Sequence, residues 1–115
     1  MERVLAVGEF ERRVDGAAKS GRVVLVQVGS DACVRCPAFG AAVAELKQTY
    51  EFDWFYCDAH DEECELVEYF QIRQLPAFVI VAVGKPEVVA NATPADVAEA
   101  VKRICLPTFV TNLDF

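Results

Sequence analysis

The chain has 115 residues, 54% of them hydrophobic, and a formal net charge of −7 from 11 Lys+Arg against 18 Asp+Glu. One domain of this size buries roughly 65% of its unfolded surface, which excludes disorder and provides a core without metal or disulfide staples. The acidic balance speaks against nucleic acid and membrane surfaces as partners, because both need clustered Lys and Arg.

In chain order, Val4-Leu5-Ala6-Val7 is a short strand candidate. A helix is expected over 9–19, with Phe10, Val14 and Ala17 on one face and Gly21 ending it. Residues 22–28 are nearly all apolar and β-branched, as in a strand buried on both faces. Gly29-Ser30-Asp31 breaks that run and leads into Cys33-Val34-Arg35-Cys36. Residues 37–50 then carry Phe39, Val43, Leu46 and Tyr50 at helical spacing. A strand is expected over 52–57. A third helix, capped by His60 or Asp61, turns Leu66, Val67 and Phe70 inward. Its first turn holds Glu62 and Glu63, as the helix dipole favours. Residues 77–83 form a strand, Gly84-Lys85 a turn and 87–90 a return strand. Thr93-Pro94-Ala95-Asp96 starts a last helix with Val97, Val101 and Ile104 on its face. The order βαβαβαββα implies an α/β fold: a mixed sheet of about five strands flanked by four helices. Residues 1–105 are read as the domain, and 106–115 as a tail packing on it or on a partner.

The motif of two cysteines at a strand-to-helix junction suits dithiol chemistry. Backbone N–H groups and the helix dipole there stabilise a thiolate at Cys33, and Cys36 lies one turn on, within reach of a disulfide. A zinc half-site is the rival, but only His60, Cys57 and Cys64 are at hand to complete it. Two idle thiols are the other alternative. Arg35 favours the Cys33 thiolate, so the couple should be less reducing than that of an ordinary CxxC protein. Cys57 and Cys64 read as two packing thiols rather than a regulatory disulfide, and Cys105 as a core residue. Five cysteines, an odd number, fit a reducing, cytoplasmic setting. No basic-then-apolar leader opens the chain, and no apolar run reaches the roughly 20 residues of a membrane span.

The element order, the Cys33-x-x-Cys36 spacing after the second strand and Leu75-Pro76 about forty residues later resemble the thioredoxin family, over roughly residues 3–105. The resemblance implies a thiol–disulfide oxidoreductase acting on protein disulfides without cofactor or metal. Its electron donor would be a separate reductase or a low-molecular-weight thiol, and it would be a monomer or weak dimer. It implies that Cys33 attacks, that Cys36 resolves, and that Leu75–Pro76 is a cis peptide facing them. Ala32 and the Leu75 backbone would then meet an extended substrate, with Val34, Arg35 and Gln27 tuning the site. The departures are Ala32-Cys33-Val34-Arg35-Cys36 in place of Trp-Cys-Gly-Pro-Cys, and Gln27 and Trp54 in place of a buried aspartate and lysine. Gly29 stands where the family carries an aromatic, and Asn91 where it carries a glycine. Losing both charges together is coherent, since one buried charge alone is costly. The same departures admit a second reading, an adaptor or subunit with vestigial redox activity.

Overall fold

In a computed structural model that describes residues 2–4 and 6–105, nine elements follow one another. They are β1 (Glu2–Arg3), α1 (Val7–Lys19), β2 (Val24–Gly29), α2 (Cys36–Thr49), β3 (Asp53–Asp58), α3 (Leu66–Tyr69), β4 (Ala77–Ala82), β5 (Lys85–Val89) and α4 (Pro94–Ile104). One sheet holds the strands in the order β1-β3-β2-β4-β5. The first three are parallel, β4 runs antiparallel to β2, and β5 antiparallel to β4. All six residues of β2 are buried, as its uninterrupted apolar run requires of a central strand.

The alternation of β2 divides the core. Val24, Val26 and Val28 face one layer with Phe10 of α1 and Leu66 of α3. Leu25 faces the other, with Phe39 and Val43 of α2 and Val97 and Val101 of α4. Gln27 and Gly29 keep the parity of Leu25, so the end of β2 delivers them beneath α2. That helix rests on a stacked pair, Phe39 and Phe78, with ring centroids 6.0 Å apart. At α4 the capping box is complete: the Thr93 hydroxyl accepts from the Asp96 N–H, and the Asp96 carboxylate accepts from the Thr93 N–H.

The structure corrects several expected boundaries. The first strand is Glu2–Arg3 and not 4–7; Val4 extends it by one hydrogen bond, from its N–H to the Tyr56 carbonyl, and α1 already begins at Val7. Leu5 and the tail over 106–115 lie outside the described residues. The third helix is a single turn. Residues 60–64 form turns instead, in which the Asp61 carboxylate accepts from the Glu63 N–H and the Asp61 carbonyl from the Cys64 N–H. Asp, with a side chain short enough to bond its own backbone, competes here with helix formation.

The hairpin turn is Val83-Gly84, not Gly84-Lys85, because Ala82 pairs with Lys85. Both turn residues have positive φ, 53° and 74°. A two-residue turn matched to the twist of its strands demands this, and valine is a poor choice for it. Val83 is exposed. Val83→Asn should therefore stabilise the fold by about 1 kcal/mol, read as a higher denaturant midpoint at unchanged slope.

Candidate functional site

The site forms where β2 ends and α2 begins. The Cys33 N–H donates to the Ser30 carbonyl at 3.2 Å and the Cys36 N–H to the Cys33 carbonyl at 3.3 Å, so the four-residue motif is a tight turn feeding the helix. Cys36 is the first helical residue and Pro37 follows it, where its missing N–H costs nothing. Cys33 is half-buried and Cys36 is buried. The two are joined as a disulfide with Cα atoms 5.4 Å apart. Val34, between them, is 96% exposed, and Ala32 is exposed as well.

Gly29 accounts for the space around the inner sulfur. A Cβ there would stand 3.1 Å from Cys36 Sγ and 3.5 Å from Tyr56 Cε1. The missing side chain leaves that volume to the sulfur and the tyrosine ring edge. The Tyr56 hydroxyl has a raised pKa, from burial first and then from the charges of Asp58 and Asp31. Tyr56 is a neighbour of the disulfide that periodicity alone does not single out.

Gln27 is 4% exposed, and its Oε1 accepts from Trp54 Nε1 at 3.0 Å. The two residues standing where the resemblance places an aspartate and a lysine are thus bonded to each other. A neutral pair satisfies the buried acceptor without the desolvation cost of ions. α2 closes over this amide at Gly40, where a Cβ would come within 3.1 Å of Gln27 Nε2.

The Leu75–Pro76 peptide is cis. A shallow groove of about 370 Å³ joins Leu75 to Cys33, Val34 and Arg35, and His60 and Arg73 line it as well. Arg35 closes one side of it. Its Nη2 donates to the Leu75 carbonyl at 3.1 Å and to Asn91 Oδ1. Asn91 has φ 52°, a left-handed conformation that asparagine adopts more readily than most residues. Its N–H donates to the Gln74 carbonyl, and the Ala92 N–H to that of Pro76. One guanidinium therefore ties the cysteine turn to the proline loop and to the loop before α4. The spacing of the motif shows that Arg35 lies near Cys33, but not these partners 40 and 56 residues away.

Cys57 and Cys64 also form a disulfide, Cα to Cα 6.9 Å. This corrects their reading as separate packing thiols: the turns over 60–64 double back on the end of β3. Cys105 is the remaining thiol; burial pushes its pKa up to about 11, so it is neutral at physiological pH. Among the described residues no group of three or more His, Cys, Asp or Glu is placed to hold a metal ion, and no helix is long and apolar enough to cross a membrane.

A family model described as Thioredoxin matches residues 3–104. No curated protein matches the chain by sequence. Among solved structures, mitochondrial thioredoxin 3 of Saccharomyces cerevisiae in its oxidised form superposes with a TM-score of 0.76 at 17% identity, covering 90% of this chain and 95% of that one. Thioredoxin f from spinach chloroplast gives 0.76 at 21% identity, over 89% and 90%. A chain from the complex of ferredoxin:thioredoxin reductase with thioredoxin f2 gives 0.76 at 20%, over 89% and 92%. At these identities the structural likeness speaks for the fold.

Proposed function

The chain belongs to the thioredoxin family, and from that premise we propose that it reduces or exchanges protein disulfides through Cys33 and Cys36. Family membership and the cysteine pair carry thiol–disulfide oxidoreductase chemistry in general. The observation that supports the assignment of roles is the asymmetry of the pair: Cys33 is half-buried on the groove, and Cys36 is buried at the start of α2.

The reduced pair works in two steps. The Cys33 thiolate attacks one sulfur of the substrate disulfide; that bond breaks, and its electron pair leaves with the other sulfur as a thiolate, which solvent protonates. The Cys36 thiolate then attacks the Cys33 sulfur of the mixed disulfide, expelling the second substrate thiolate and forming Cys33–Cys36. Two electrons have passed to the substrate, and a separate reductase or a small thiol restores the dithiol. A reductase donor has a precedent in the complex formed by the structurally similar thioredoxin f2. Gln27 has no ionisable group with which to take the Cys36 proton. Deprotonation of Cys36 falls to solvent or to the departing thiolate, so resolution is the slow step.

Reduction of insulin by the wild-type protein, in dithiothreitol, tests the reading. Catalysed turnover well above the rate of dithiothreitol alone is expected. A rate equal to that of dithiothreitol would replace an oxidoreductase with an adaptor that has kept the fold.

A further inference from the structure

The lining of the Cys33 groove carries two arginines and no carboxylate, in a chain that is acidic overall. The chain carries −7 overall, and three of its five other arginines are paired with carboxylates: Arg13 with Glu2, Arg22 with Asp53, and Arg103 with Glu87 and Glu99; Arg3 lies over the Tyr56 ring instead. The two arginines on the Cys33 groove are not paired with carboxylates among the described residues. Arg73 is exposed and forms no ion pair among the described residues. Arg35 is held by two neutral oxygens, the Leu75 carbonyl and Asn91 Oδ1. No carboxylate lines the groove. Asp58 stands nearby but outside the groove, its Oδ1 accepting from the His60 N–H at 2.9 Å.

We propose that this groove selects disulfides flanked by an acidic residue, with Arg35 and Arg73 binding the flanking carboxylate. The inference rests on Cys33 as the attacking thiol. Two physical arguments support it. A carboxylate is a better acceptor for guanidinium than a carbonyl or an amide, since it adds the attraction of opposite charges and can accept two parallel N–H···O bonds from the planar fork. An acidic flank therefore draws Arg35 off Leu75 and Asn91 and frees the Leu75 carbonyl, a main-chain acceptor beside the reacting sulfur. Asp31 and Asp58, whose charges reach Tyr56 beside the disulfide, oppose this attraction without lining the groove; the more distant acidic surface is largely screened at physiological salt, where the Debye length is about 8 Å. Arg35 acts here as a specificity device: it caps the groove until a substrate anion competes for it.

The test uses the full-length Cys36→Ser protein, which stops at the mixed disulfide. Three synthetic peptide disulfides, identical except for Asp, Ala or Lys beside the cysteine, are reacted with it under single-turnover conditions. Each rate is divided by that of free mercaptoethanol with the same peptide, which removes differences in leaving-group reactivity. Normalised rates should fall from Asp to Ala to Lys, with about tenfold between the ends at low salt and a smaller spread at high salt. Adding Arg73→Gln or Arg35→Gln should each shrink the Asp-to-Lys ratio, and both together should bring it close to one. Equal normalised rates, a preference for Lys, or an Asp preference that survives both substitutions would overturn the proposal. Multiple turnover of the same peptides by the wild type is scored separately. Its absence would count against the oxidoreductase reading, while the charge ranking would still decide the question of selectivity.

Discussion

Replacing Cys33 with serine is expected to lower disulfide-reduction turnover to the rate of dithiothreitol alone. A serine hydroxyl stays protonated at neutral pH, and the thiolate is the nucleophile that disulfide exchange needs. Cys36, buried beneath the turn at 8% exposure, is badly placed to take over the attack on a protein disulfide. Cys36→Ser should fail differently. Its Cys33 still attacks, so one covalent equivalent of substrate is taken up and then held, because no neighbouring sulfur releases it. The two variants thus have similar steady-state rates and opposite single-turnover behaviour. A Cys33→Ser protein that retains most of its turnover would show that another thiol does the work.

The largest expected effect on stability comes from Phe39→Ala. Phe39 is fully buried, stacks on Phe78, and with Val43 forms the buried face by which α2 sits on the sheet. Removing a ring from such a site costs about 3–5 kcal/mol, from lost transfer energy and from the cavity left behind. For a domain of this length the melting temperature should fall by on the order of 15 °C. Because α2 begins at Cys36, the same substitution should loosen the cysteine turn, seen as faster hydrogen exchange at the first amides of α2 below the melting transition. A loss under about 1 kcal/mol would mean that α2 is held mainly by other contacts.

The chain displays some of this architecture openly. The β-branched run of β2 and the offsets of Phe39, Val43 and Leu46 in α2 locate the centre of the fold, because burial on two faces and on one stripe leaves periodic marks. The cysteine spacing locates the site for the same reason: its chemistry is local. Gln27 and Trp54 were legible as a joint replacement, though not as partners in a hydrogen bond. The rest depends on contacts distant in sequence or on backbone conformation. The Arg35 bridge to Leu75 and Asn91 spans loops that no periodicity connects. At residues 60–64, acidic residues that suit the first turn of a helix form Asx-type turns instead, and the Cys57–Cys64 disulfide closes across them. Val83 reads as a strand residue by propensity, yet the register of the hairpin places it in the turn.

The central claim is that Cys33 is the sulfur that meets substrate. Peptide mapping of the covalent complex between Cys36→Ser and a disulfide peptide tests it most directly. Once its disulfide with Cys57 is reduced, Cys64 is the serious rival: it is half-buried, whereas Cys57 is fully buried and Cys105 is a neutral thiol in the core. The substrate should be found on Cys33, in the peptide that carries Val34 and Arg35. Its recovery on Cys64, with Cys33 unmodified, would contradict the account.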